Sequence, residues 1–192
     1  MEPGRFKNLT AIVLAGGKST RMGGVDKSML PVGGIPMIRH IVRQLELHFA
    51  EIIIGGDGDK YGFLGHRVIN DAEKFKGPLM GIYSCLKATQ NDLNFITACD
   101  IPEINTGFLS EMLELSGEAD IVMPVKGNDK YEPLHALYRK SVVPVAESLL
   151  REERFKISDL AGLVKTRFIP FDGRGWYYNI NTIDEYKRYT RF

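Results

Sequence analysis

The 192-residue sequence predicts an α/β fold built on a mostly parallel central sheet, and three observations carry that expectation. Short apolar runs alternate with segments of helical period along most of the chain. The runs are unbroken, as in residues 10–15 (T-A-I-V-L-A) and 52–54 (I-I-I), which is the pattern of strands covered on both faces. Glycine or aspartate follows several of them directly, at Ala15-Gly16-Gly17, Gly55-Gly56-Asp57, Asp71 and Asp100. In open α/β sheets ligands sit beyond the carboxyl ends of the strands, so these residues mark one candidate edge.

Each element follows from a local signal. Residues 10–15 form the first buried strand. Ile38, Ile41, Val42, Leu45 and Phe49 recur at helical spacing, with Pro36 suited to a first turn. Strands follow at 52–54 and, briefly, at 67–70. Residues 78–89 read as a helix with a proline start, 94–99 as a strand, 106–116 as a helix and 120–124 as a strand. Beyond residue 125 the pattern loosens. A strand near 134–138 and a helix near 141–151 are expected, then strands at 166–171 and 177–180. Thr182-Ile183-Asp184-Glu185 reads as a capping box, which starts a final helix running through Tyr189. No repeat, low-complexity tract or linker interrupts the chain, so one domain is expected over 1–192.

The composition excludes several function classes. With 44% hydrophobic and 10% aromatic residues the chain can bury a sizeable core. The 25 basic and 24 acidic residues leave a formal charge of +1, which offers no broad surface for nucleic acid. Any bound anion must be met by locally concentrated donors. Cys85 and Cys99 have no metal-ligand spacing and suit a reducing cytoplasm. The first apolar run is too short for a signal peptide, and none approaches the roughly 20 residues of a membrane helix. The expected location is therefore cytoplasmic, without a membrane partner. Without a secretion signal, the glycosylation triplet Asn8-Leu9-Thr10 reads as chance.

The first strand runs straight into L-A-G-G-K-S-T-R-M-G-G-V-D-K, residues 14–27, with four glycines between positions 16 and 24. Glycine lets a ligand approach the main chain, and successive N–H groups then make an anion-binding nest. Lys18, Arg21 and Lys27 add three positive charges and Asp26 removes one, a local sum of +2. That is the chemistry for holding a polyphosphate. Gly17-Lys18-Ser19 ends like a P-loop, but the glycine required five residues earlier falls on Ile12. The G-x-G-x-x-G fingerprint fails as well, because position 18 is lysine. A calcium loop over Asp57 and Asp59 fails because Tyr61 and Val68 occupy ligand positions. His40, His48, His66 and His135 are scattered, and no zinc site is assigned.

At this loop the sequence resembles the nucleoside triphosphate nucleotidyltransferases, and within them the molybdenum cofactor guanylyltransferases. Relatives acting on sugars or in cytidylyl transfer more often show L-A-A-G where this chain has Leu14-Ala15-Gly16-Gly17. The resemblance continues through Gly33-Gly34-Ile35-Pro36, Asp71, Gly77-Pro78-Leu79-Met80-Gly81, Cys99-Asp100-Ile101-Pro102, Pro133-Leu134-His135-Ala136-Leu137-Tyr138 and Asn179-Ile180-Asn181-Thr182. It covers about residues 9–189. It implies a single Rossmann-like three-layer sandwich of the nucleotide-diphospho-sugar transferase type. Residues of about 9–125 would form a GTP-binding half and about 126–192 a pterin-substrate half.

The implied reaction moves GMP from GTP to Mo-molybdopterin and releases diphosphate. The alternatives are a related cytidylyl- or sugar nucleotidyltransferase, or a non-catalytic nucleotide or cofactor carrier. The resemblance implies Mg²⁺ held by Asp100, with Arg21, Lys27 and Asp100 as catalytic residues. Leu14, Ala15, Gly16, Gly17, Lys27, Asp71, Gly77, Gly81 and Asp100 would line the nucleotide, and Lys156, Asn179 and Asn181 the pterin substrate. Molybdoenzymes or other cofactor-biosynthesis proteins are the implied protein partners. Read from the residues alone, Asp100 is either a turn cap or a Mg²⁺ ligand, since Mg²⁺ prefers hard oxygen donors. Asp71 is a loop entry or a nucleotide contact. Gly81 marks tight helix–sheet packing or a close ligand. Asn179 and Asn181, two apart, would share one side of a strand. Family members often carry asparagine where this chain has Gly55, so a side-chain contact to the base is either lost or replaced by backbone or Asp57.

Overall fold

The computed structural model describes residues 4–16, 26–73, 76–127, 130–172 and 175–190. Strand β1 (Thr10–Leu14) is followed by the short hairpin β2 (Pro31–Val32) and β3 (Ile35–Pro36), then α1 (Met37–Glu46) and β4 (Glu51–Gly55). Helix α2 (Gly58–Tyr61), β5 (Arg67–Ile69), α3 (Pro78–Ala88), β6 (Leu93–Ala98) and α4 (Thr106–Glu114) come next. The last part holds β7 (Ile121–Lys126), β8 (Lys130–Tyr131), β9 (His135–Arg139), α5 (Val143–Arg151), α6 (Ile157–Leu163), β10 (Thr166–Pro170) and α7 (Ile183–Tyr189).

The central sheet has the order β10-β7-β9-β6-β1-β4-β5, with β8 paired to β7. β1 runs parallel to β4 and β6, β4 to β5, and β10 to β7. β9 is antiparallel to both β6 and β7, because the chain turns back through β8 and inserts the returning strand between them.

All five residues of β1 are buried, and their alternation divides the core into two layers. Ala11 and Val13 pack in one apolar cluster with Ile38 and Ile41 of α1 and Phe108 and Leu109 of α4. Ile12 and Leu14 pack in the other with Leu79, Ile82 and Leu86 of α3, Ala146 and Leu149 of α5 and Leu160 of α6. Each of the valine, leucine, isoleucine and phenylalanine side chains contributes about 1.5–3 kcal/mol by leaving water. The result is the expected three-layer α/β sandwich with a mostly parallel sheet.

Two expectations need correction. Residues 177–180 are not a strand. Ile180 is buried and its N–H donates to the Asp100 carbonyl at 2.9 Å, but the segment joins no ladder, so Asn179 and Asn181 sit on a loop. The sequence pattern also does not foretell α2 or α6; α6 buries only Ile157 and Leu160 over seven residues, too few to display a period. The capping box at Thr182 is present as read, with Glu185 accepting from the Thr182 N–H and Thr182 accepting from the Glu185 N–H.

Gly55 ends β4 where no side chain fits. A Cβ there would lie 2.6 Å from Leu14 Cδ2 and 2.8 Å from Cys85 Sγ, both on buried residues. The nearby Asp57 carboxylate caps α2 by accepting from the Asp59 N–H. Introducing asparagine by Gly55→Asn should cost about 1–3 kcal/mol, the range for overpacking a filled core. Chemical denaturation will check this against Gly162→Ala, an α6 position where nothing lies within 4 Å of the new carbon.

Candidate active site

The carboxyl ends of β1, β4 and β6 set the floor of the site. The Leu14 carbonyl accepts from the Cys99 N–H at 3.1 Å, and the Ala15 N–H donates to the Gly55 carbonyl at 2.8 Å. The Ala15 carbonyl accepts from Tyr61 Oη at 3.0 Å. These bonds hold the strand end rigid, while each carbonyl keeps a second lone pair for a ligand. Gly16 is exposed, with nothing within 4 Å of a would-be Cβ, so the main chain there is open to close approach. Gly17, Lys18 and Arg21 lie outside the described residues.

Where the glycine-rich loop returns, Asp26 accepts from both the N–H and the hydroxyl of Ser28, at 3.1 and 2.8 Å. Ser28 Oγ meets Tyr61 Oη at 3.0 Å, and Lys60 forms an ion pair with Asp26. Burial opposes ionisation of Asp26, but Lys60 and Ser28 hold its carboxyl below the usual value. This network fixes the start of the short 3-10 turn Lys27–Met29.

Lys27 Nζ lies 3.7 Å from Asp100 Oδ2 and donates to Asn181 Oδ1 at 3.1 Å. Asn181 Nδ2 donates to Asn179 Oδ1 at 2.6 Å. The Asp100 side chain is 25% exposed and that of Lys27 15%. Burial pushes the Asp100 carboxyl above the ordinary value, and Lys27 only partly offsets it. Four residues predicted from sequence therefore meet in one polar cluster, drawn from the loop after β1, the end of β6 and the segment before α7.

Asp71 lies beyond β5, facing α3. A Cβ on Gly81 would sit 3.4 Å from Asp71 Oδ1 and 3.4 Å from Leu14 Cδ2. The glycine thus admits both the strand side chain and the aspartate. Burial raises the Asp71 carboxyl pKa, and burial, with a smaller effect of the Asp71 charge, pushes the Cys85 thiol up to about 12. Gly77 precedes α3 at a φ of 75°, a left-handed turn that favours glycine. Lys156 is exposed at the start of α6, and its neighbour Phe155 lies against Gly77, so its place is beside the start of α3.

The donor set suits a hard cation. Among the described residues no three His, Cys, Asp or Glu side chains gather as a metal cage. Asp100 instead offers one carboxylate, which Lys27 links to the amide oxygen of Asn181. Mg²⁺ is commonly held by one or two carboxylates, with water and substrate phosphates completing the shell. Cys99 does not compete as a soft ligand, because burial pushes its thiol up to about 12 and keeps it protonated.

Residues 11–162 match the MobA-like NTP transferase domain. The chain belongs to this family. It is therefore a nucleotidyltransferase, of a class that generally uses a divalent metal. A probable molybdenum cofactor guanylyltransferase of Carboxydothermus hydrogenoformans is 36% identical over 191 residues, covering 95% of each chain. The molybdenum cofactor guanylyltransferase of Vibrio parahaemolyticus is 29% identical, covering 91% of each. The crystal structure of molybdopterin-guanine dinucleotide biosynthesis protein A from Archaeoglobus fulgidus shares the fold with a TM-score of 0.78, at 23% identity and with 95% of this chain and 97% of that one covered. Among the described residues no helix is long and apolar enough to cross a membrane.

Tyr61, Lys60 and Tyr177 are not singled out by any sequence pattern, although Tyr61 and Lys60 anchor the loop that carries Lys27. The signal for Tyr61 and Lys60 is proximity in the chain to Gly56-Asp57, which reads as a failed calcium loop, and that for Tyr177 is its place in the run 177–180 read as a strand.

The burial of the Asp100 carboxyl gives a signed prediction. Its folded carboxyl titrates above the ordinary value of 3.8, so folding favours the protonated form. That contribution is present below the ordinary value and is lost as pH rises through the raised one. Asp100→Asn mimics the protonated acid. Its melting midpoint should exceed that of the wild type at pH 7, and the gap should close as pH falls toward 3.8 in a thermal series.

Proposed function

We propose that the protein transfers GMP from GTP to Mo-molybdopterin, forming the molybdopterin guanine dinucleotide. The terminal phosphate oxygen of molybdopterin attacks the α-phosphorus of GTP. The bond from that phosphorus to the bridging oxygen breaks, and diphosphate leaves with the electron pair. No protein nucleophile is required. The observation that carries the reading is the bridge of Lys27 between Asp100 and Asn181. One lysine there touches both the expected nucleotide half, about 9–125, and the expected pterin half, about 126–192.

In this reading Asp100 would hold Mg²⁺, whose chemistry is to neutralise phosphate charge and align the two anions. Lys27, with Arg21 and the loop N–H groups, stabilises the leaving diphosphate. Leu14, Ala15 and Gly16 present main chain to the guanine, and Gly17 also contributes to the nucleotide site. Asp71, Gly77 and Gly81 shape the nucleotide side. Asn179 and Asn181 orient the acceptor, and Lys156 adds a positive charge at the start of α6. The protein acts in the cytoplasm, and molybdoenzymes or other cofactor-biosynthesis proteins receive its product.

Mass spectrometry after incubation with GTP, Mg²⁺ and molybdopterin should show the guanine dinucleotide, and CTP in place of GTP should give little product. A preference for CTP would favour the cytidylyl alternative. Stable GTP binding without turnover would favour a carrier. Asp100→Ala should abolish diphosphate release. Lys27→Ala should lower kcat at least about 10²-fold, as removal of a preorganised charge stabiliser does. Near-normal turnover in either variant would remove that residue from the mechanism.

A further inference from the structure

Glu132 flanks Asp100 on the side away from β1. Of the strands beside β6, β1 leads to β4 and β5, while β9 leads to β7. Glu132 comes just before β9, and the Leu134 carbonyl accepts from the Ala98 N–H at 3.1 Å, which seats this loop against the end of β6. The candidate nucleotide residues Leu14 and Asp71 stand toward the β1, β4 and β5 side. Glu132 therefore stands on the flank of Asp100 opposite these candidate nucleotide residues.

Its carboxylate is held in place. Tyr177 Oη donates to Glu132 Oε2 at 2.7 Å, and the Glu132 N–H donates to the Pro124 carbonyl at 2.9 Å. The Tyr177 ring stands edge-on to His135 at 5.7 Å and to Phe171 at 4.8 Å, both buried. Burial raises the Glu132 carboxyl pKa, with Tyr177, Lys126 and Lys130 opposing it and Asp100 adding to it. Among the described residues no ion pair within 4 Å involves Glu132. Tyr177 takes one lone pair of Oε2 and no ion pair among the described residues takes the others, so both oxygens keep sites for further donors.

A carboxylate best takes two parallel N–H groups from a planar fork. The 2-amino-4-oxopyrimidine edge of a pterin is such a fork, with a ring N–H beside an amino group. We infer that Glu132, oriented by Tyr177, is the residue that selects the acceptor by taking the amino-pyrimidinone edge of its pterin ring. The inference rests on the guanylyl-transfer reading above, and in it one acceptor spans the site. Its phosphate lies at Lys27, Asp100 and Asn181, and its ring at Glu132. Guanine carries the same edge, so the test must separate the two.

The test is a fluorescence titration of the full-length protein with a 6-substituted pterin monophosphate and with its lumazine counterpart, in which oxo replaces the 2-amino group. The wild type should bind the pterin at least about tenfold more tightly, the scale of a hydrogen bond to a charged group. Glu132→Gln should lose that preference while keeping its melting midpoint and its affinity for GTP. Tyr177→Phe should lose part of it. If Glu132→Gln does not fold, Glu132→Asp should show the same loss. Equal binding of the two ligands by the wild type, a preference that survives in Glu132→Gln, or weakened GTP binding in its place would overturn the inference. The readout does not require turnover, so a wild type that discriminates yet makes no dinucleotide would sink the guanylyl-transfer reading and leave only the pterin contact at Glu132.

Discussion

Lys27 and Asp100, 3.7 Å apart, form the contact on which the geometry of the site turns. Asp100 closes β6 in a largely buried position where its charge is costly, and Lys27 offsets only part of that cost. Lys27 reaches it because the loop end is stapled from behind. Asp26 is bound to Ser28 and Lys60, Ser28 to Tyr61, and Tyr61 to the Ala15 carbonyl at the end of β1. The same backbone that carries Asp100 accepts from the Ile180 N–H and so delivers Asn181 to the lysine. Cutting any of these ties would loosen a charge pair that has little solvent to fall back on.

The sheet supplies the second constraint. Parallel strands β1, β4 and β5 point their carboxyl ends to one edge, where glycines and an aspartate meet. The antiparallel insertion of β9 brings the start of that strand, rather than its end, to the same edge beside β6. Residues from the late part of the chain thus face Asp100 from the opposite flank. A two-substrate transferase needs this division, since the two anions must approach from different sides for an in-line displacement.

Electrostatics makes the site costly to fold and useful once folded. Asp71, Asp100 and Glu132 all have carboxyl pKa values raised by burial. Each would be easier to bury as a neutral group, which is the common pattern of a functional site held at some expense of stability. A net charge of +1 over the chain conceals this concentration.

Much of the fold was legible because its signals are local. Unbroken apolar runs marked β1, β4 and β6, helical spacing marked α1, and the Thr182 box marked α7. The glycine-rich loop and Asp100 were legible as chemistry, since strand ends in such sheets carry ligands. Residues 177–180 misled because aromatic and β-branched residues suit a strand, yet their ladder groups find no partner strand and Trp176 and Tyr177 join an aromatic cluster instead. Gly55 read as a contact either lost or replaced by backbone or Asp57, and only packing shows that Leu14 and Cys85 fill its space. The sequence by itself determined the alternation of elements and the residues at the strand ends, because these depend on near neighbours and on period. Only the tertiary structure decided that Lys27 meets Asn181 across 154 positions, that Tyr61 pins Ala15 and that Tyr177 holds Glu132. Those pairings depend on which strand lies beside which, and no local pattern encodes that.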